Sequence, residues 1–226
     1  MKQIFISENI PKPIEDFLIT EGFILRKLRS CNSLSLPVSS HADMLIFSDG
    51  RRMITTKEYY ENNKEIFASC DITAADITLG NRYPQDVALN CFVAGDRLYG
   101  RLESVCDNIR NLYLKQTNLS QGYAKCSTLL FGNNAITADE GIASALAFNG
   151  TNVLRISPGK ILLPGYDYGF IGGASFVYGR NIIFFGDITA HPDFTMIRSF
   201  IENSGYSITY TDTHPLIDLG GAVTFE

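Results

Sequence analysis

A tight-turn signature recurs along the chain, at Asp49-Gly50, Gly95-Asp96, Asn133-Asn134 and Gly179-Arg180, about 46, 38 and 46 residues apart. These residue types tolerate the positive φ that short hairpin loops demand. Each turn sits between two short apolar runs. Met44–Phe47, Ala88–Val93, Thr128–Phe131 and Ser175–Tyr178 precede the turns, and Met53–Thr55, Arg97–Tyr99, Ala135–Thr137 and Ile182–Phe185 follow them. A polar residue then opens a helical pattern. Asp139 starts one with Ile142, Ala145 and Leu146 inward and Gly150 as its stop; Asp187 starts another with Phe194, Ile197 and Ile201 inward and Gly205 as its stop. A further strand follows each, Val153–Ile156 and Tyr206–Tyr210. The repeating unit is therefore strand, strand, helix, strand. A fixed period of this length is the mark of a repeat architecture.

The two ends supply a fifth unit. Gly220–Phe225 reads as a first strand and Gln3–Ser7 as a second, followed by a helix over 13–20, a stop at Gly22 and a strand over Phe23–Leu28. Pairing of the terminal strands closes a ring and removes exposed edges. The expectation is an α/β fold of five ββαβ units in a pseudo-fivefold ring, forming one domain over residues 1–226, about 45 residues per unit. The second unit is the least legible, because Leu102–Gln116 carries little punctuation.

Composition narrows the function classes. Hydrophobic residues make up 45% and charged residues 19%, and net charge is −5, so the chain can bury a core and presents no basic footprint for nucleic acid. The Arg26, Lys27, Arg29 cluster reads as a solvated face. No run approaches the roughly 18 apolar residues of a membrane helix. The start lacks a secretory pattern, and five cysteines with no CxxC pair point to a reducing, cytoplasmic setting without structural disulfides. Three scattered histidines give no zinc pattern, so neither metal nor cofactor is expected.

Five such units resemble the pentein fold of the guanidine-modifying enzymes, which include deiminases, dimethylarginine hydrolases and amidinotransferases, and which shares its fold with non-catalytic ribosome anti-association factors. The phrase Gln121-Gly122-Tyr123-Ala124-Lys125-Cys126-Ser127 and the stretch Leu163–Ser175 are similar to a small bacterial family of unassigned activity on that fold. The resemblance implies that functional residues cluster near the starts of the first strands, where this chain carries His41 and Asp43, Asp86 and Asn90, Lys125 and Cys126, Gly172 and Gly173, and Gly220 and Gly221. It also implies roles: Cys126 as nucleophile two units after His41, His41 as acid/base, and Asp43 on a planar cation whose N–H fork suits paired carboxylate oxygens. Asp86, Asn90, Tyr166, Asp167, Tyr168, Gly172 and Gly173 complete the candidate substrate set, and ring order points to Asp218 or Asp167 as a further acid.

Each residue also has a plainer reading. Cys126 fits a small buried thiol, His41 a turn cap after Ser39-Ser40, Asp86 a brace after Tyr83-Pro84, and Asn90 a backbone bond. The glycines of 165–173 suit either a ligand-contacting loop or a tight connection, and Tyr166 and Tyr168 suit stacking on a cation. His191 and His214, each before a proline, read as turn residues. On a strand, His41 and Asp43 share a face. Whether Cys126 shares it depends on the third turn. Asn133-Asn134 puts Cys126 opposite; Gly132-Asn133 puts it level with Asp43. Two functions follow: a Cys-dependent hydrolase or transferase acting on a guanidine or amidine through a thioimidate, with a small cationic molecule as its partner, or a non-catalytic ring that binds a small molecule or a protein or ribosomal partner.

Overall fold

The computed structural model describes residues 2–225. It contains five three-stranded sheets. β1 (Lys2–Ser7), α1 (Lys12–Thr20) and β2 (Phe23–Leu28) open the chain. The second unit holds α2 (Ala42–Leu45), β3 (Ile46–Ser48), β4 (Met53–Thr56), α3 (Lys57–Asn62) and β5 (Thr73–Ala75). The third holds β6 (Phe92–Ala94), β7 (Arg97–Gly100), α4 (Asp107–Arg110) and β8 (Lys115–Asn118). The fourth holds β9 (Thr128–Phe131), β10 (Asn134–Thr137), α5 (Glu140–Phe148) and β11 (Asn152–Arg155). The fifth holds β12 (Ser175–Tyr178), β13 (Asn181–Phe184), α6 (Phe194–Asn203) and β14 (Ser207–Thr209), and β15 (Val223–Phe225) ends the chain. In every sheet the middle strand pairs antiparallel with the first and parallel with the third. The first unit is made from both ends: β15 pairs with β1, Gln3 opposite Phe225.

The middle strands β4, β7, β10 and β13 share one burial pattern, a partly exposed first residue and three buried ones. Strands covered on both faces read as continuous apolar runs, which is why Asn181-Ile182-Ile183-Phe184 shows no alternation. α1 buries Ile14 and Leu18, α5 buries Ile142 and Leu146, and α6 buries Ile197 and Ile201, each pair four residues apart and so on one face. Asp139 caps α5 by accepting from the Ile142 N–H at 2.8 Å, and Thr56 caps α3 by accepting from the Tyr59 N–H at 3.0 Å.

Several sequence expectations change: Gly220–Phe225 is a strand only over Val223–Phe225, and Asp187 caps a single turn over Ile188–Ala190 while α6 starts at Phe194. The apolar runs Met44–Phe47 and Ala88–Val93 are not strands throughout; β3 starts at Ile46 and β6 at Phe92. Residues 42–45 form a helical turn, so the period-two argument for His41 and Asp43 does not apply. The third hairpin turn is Gly132-Asn133, since Phe131 pairs with Asn134 and Gly132 has φ +55°. Among the described residues no helix is long and apolar enough to cross a membrane.

Candidate functional site

The segments just before the five first strands are joined in a closed circle of hydrogen bonds. The Asp43 N–H donates to Gly220 O (3.0 Å), Gly221 N–H to Gly173 O (2.7 Å), and Gly173 N–H to Cys126 O (2.9 Å). The Lys125 and Cys126 N–H groups donate to Asn90 Oδ1 (2.8 and 3.3 Å), and Asn90 Nδ2 donates back to Asp43 O (3.2 Å). One residue from each unit thus meets at the centre of the ring. Asn90 does bond backbone, and that bond joins two units.

Three reactive side chains converge there. His41, Cys126 and Asp218 are buried, and one ligand atom of each lies within 4.8 Å of the others. His41 Nδ1 is 3.7 Å from Asp218 Oδ1 and has no hydrogen-bond partner among the described residues. Asp218 is fixed by the Gly220 N–H on Oδ1 (2.9 Å) and the Phe170 N–H on Oδ2 (2.8 Å). The Cys126 thiol donates to Asp43 Oδ2 at 2.7 Å, and Asn90 Nδ2 lies 3.7 Å from the same sulfur. A nitrogen, a sulfur and an oxygen at this spacing also form a set able to bridge one divalent cation.

The glycines build this geometry by close approach. A Cβ at Gly172 would lie 2.5–2.6 Å from three carbonyl oxygens, those of Lys125, Cys126 and Thr128. At Gly173 it would fall 2.0 Å from Asp218 Oδ1. Gly220, at φ +77°, lets its backbone press against His41, where a Cβ would be 2.3 Å from His41 Cβ. Gly172 and Gly173, expected as substrate contacts, instead pack behind Cys126 and Asp218.

The cluster forms the floor of a cavity of about 240 Å³ walled by Tyr123, Tyr166, Tyr168 and Phe170, with Asp167 at the exposed mouth. A second cavity of about 380 Å³, bounded by Leu36, Pro37 and Ile217, shares His41, Leu163 and Asp218 with the first. Asp43 does not line either; with Lys125 it lines a cavity of about 260 Å³ bordered by the first strands. Cys126 and Lys125, neighbours in sequence, therefore face different cavities. Asp86 is buried outside both and accepts from the Tyr123 hydroxyl at 2.5 Å, bracing the aromatic wall. His191 accepts from the Asp193 N–H at 3.1 Å, a turn contact.

Burial sets the protonation states. It pushes His41 down to about 3, so the imidazole is neutral. It lifts Asp43 to about 6 against the pull of the Cys126 bond and of Lys125. It lifts Asp218 to about 7, with the nearby Asp43 charge adding to the rise. Burial, then Asp43, holds the Cys126 thiol well above its ordinary range. Burial also lowers Lys125, against the pull of Asp43. The resting site is a thiol beside two carboxyls whose ionised forms lack a bonded cation.

Asp218 appeared in sequence only as an alternative to Asp167, and Tyr123 and Phe170 were not singled out. Asp218 lies more than 170 residues from His41 in the chain, and only ring closure brings them together. The Gly220-Gly221 pair beside it was its one local signal.

The family of unknown function DUF6873 matches residues 5–223. No curated protein matches the sequence. Among solved structures, a mutant dimethylarginine dimethylaminohydrolase from Pseudomonas aeruginosa complexed with citrulline superposes with TM-score 0.56 at 14% identity, over 99% of each chain. An amidinotransferase of the saxitoxin biosynthetic pathway from Microseira wollei gives 0.55 at 9% identity, over 93% of this chain and 89% of that one. A C. jejuni agmatine deiminase gives 0.53 at 9% identity, over 93% and 75%. The five-unit ring is thus the pentein fold of guanidine-modifying enzymes.

Proposed function

We infer, for a chain that belongs to the DUF6873 family and has the pentein fold, that it is a cysteine-dependent hydrolase or transferase acting on a guanidine or amidine. One observation carries the reading. Thiol, imidazole and carboxyl meet within 4.8 Å at the floor of an aromatic-walled cavity. The named activities of the structural neighbours lie in the same chemical class.

A planar cation entering the cavity meets Asp218 and the faces of the tyrosines, a combination that favours positive charge. Its charge beside Cys126 favours the thiolate. The thiol proton moves to Asp43, the group it already donates to at 2.7 Å. The sulfur then bonds to the central carbon of the cation, and the bond from that carbon to the departing amine breaks. Neutral His41, with a free Nδ1, relays a proton from a remaining substrate nitrogen to that amine. In the second half, water or an acceptor amine attacks the thioimidate, His41 takes its proton and passes it to the product or to solvent, and the thiolate released as the carbon–sulfur bond breaks recovers its own proton from Asp43. A transferase differs only in the acceptor.

The elevated Cys126 thiol favours a second reading, a ring that binds a small cation without turning it over. Release of amine or ammonia from a panel of guanidino and amidino compounds separates the two. The enzyme reading predicts turnover that Cys126→Ser abolishes. Binding without turnover by wild type across the panel supports the second reading.

A further inference from the structure

The shape and charge of the cavity pair define the substrate more narrowly, on the premise that the site acts on a guanidine or amidine. The two cavities share His41, Leu163 and Asp218 in their linings, and each offers one arm for the substituent of a head group held at those residues. One arm is aromatic, through Tyr123, Tyr166, Tyr168 and Phe170. The other is largely aliphatic, through Leu36, Pro37, Leu163 and Ile217, with Ser7 and Asn9 as its polar groups. Among the described residues lining the two arms, the ionisable acids and bases are Asp167, Asp218, neutral His41, the Cys126 thiol and the tyrosine hydroxyls; every formal charge they can carry at neutral pH is negative. Arg51 and Arg52 border a different cavity, and Lys125 faces the one lined by Asp43.

We propose that the substrate is a monocationic guanidine or amidine whose nitrogen substituent is apolar and carries no carboxylate. The cationic head sits on the floor against Asp218 and Cys126, and the substituent runs along an arm. A carboxylate in either arm would find no cationic side chain in the lining and would face Asp167 or Asp218. Like charge in the lining disfavours such a group. An alkyl or aryl group there gains by burial against the tyrosines or against Leu36 and Leu163. The aromatic mouth adds attraction for the head as it enters.

The test compares ligands that differ in one group. Butylguanidine and 4-guanidinobutanoate share head and chain length, and calorimetry on Cys126→Ser measures binding without turnover. Butylguanidine is expected to bind at least about tenfold tighter, equivalent to about 1.4 kcal/mol. Equal binding, or tighter binding of the carboxylate, overturns the proposal while leaving the guanidine reading intact. Binding of neither guanidine, by protein whose circular dichroism matches wild type, would sink the guanidine reading itself and this proposal with it.

Discussion

Replacing Asp43 with Asn should change the shape of a pH profile, not only its height. In the wild type, Cys126 and Asp43 share a proton across 2.7 Å. The reactive thiolate arises chiefly by transfer of that proton within the pair, which leaves net charge unchanged. Once Asp43 has lost its proton to solvent, near pH 6, the thiolate fraction stops depending on pH. It rises again only when the pair loses its second proton. The width of the flat region equals the interaction between the two negative charges. Unit charges about 4 Å apart at an effective dielectric constant near 20 interact by about 4 kcal/mol, or about 3 pH units. His41 is neutral and Asp218 is common to both proteins, while Lys125 faces Asp43 in both. The assay is the rate of Cys126 alkylation by iodoacetamide, a neutral reagent, between pH 6.5 and 8.5, read by peptide mass. Wild type should change less than about threefold. Asp43→Asn, which keeps the shape but cannot take the proton, should rise about tenfold per pH unit, about a hundredfold in all. A wild-type rate that climbs tenfold per unit, or a flat profile that survives in Asp43→Asn, refutes the reasoning.

Gly172→Ala should destabilise the protein by about 3 kcal/mol, because the new Cβ meets three backbone carbonyls at 2.5–2.6 Å that no side-chain rotation can relieve. For a chain of this size that is a fall in Tm of about 6–12 °C by calorimetry, and a change under 2 °C would contradict the packing argument. His41→Gln should flatten the acid side of the stability curve. The folded His41 titrates near 3 against 6.5 as its ordinary value, so its share of stability is present above 6.5 and is lost as pH falls toward 3. At pH 5 the loss is about 2 kcal/mol from 1.5 units of pH. Asp43 and Asp218, raised by burial, gain stability in that direction in both proteins, so the difference between wild type and variant isolates His41. Urea titrations at pH 7.5 and 5 measure it, and parallel losses in the two proteins would show that His41 takes up its proton when folded.

The repeat was legible because its punctuation is local. Gly22, Gly150 and Gly205 stop helices at positive φ, and Asp139 caps one through its own side chain. The starts of the first strands were not legible. Met44-Leu45-Ile46-Phe47 is buried throughout, and a run covered on all sides has no periodicity to tell a helical turn from a strand. The third turn offered Gly132, Asn133 and Asn134 in succession, all tolerant of positive φ. Its placement is visible in the pairing of Phe131 with Asn134, and Phe131 packs on Tyr206 and Phe200, contacts far away in sequence. For the candidate site, residue type and the ring order that the resemblance implies single out His41, Asp43 and Cys126. The pairing of Asp43 with the thiol and of Asp218 with His41 depends on the circle of hydrogen bonds that ties Asn90, Gly173 and Gly220 together, and no single segment encodes that circle.

The proposed chemistry needs a nucleophilic Cys126 lying where a planar cation is held. Inactivation by 2-chloroacetamidine, cationic at neutral pH, compared with 2-chloroacetamide, its neutral near-isostere, examines both parts together, with each rate at Cys126 divided by that of N-acetylcysteine. One charge-assisted contact to Asp218 contributes about 1.5–3 kcal/mol, so the amidine should be favoured at Cys126 by at least about tenfold, and Asp218→Asn should remove most of that preference. A normalised ratio of one or below, with Cys126 labelled equally by the neutral reagent, would contradict a cation site at the thiol.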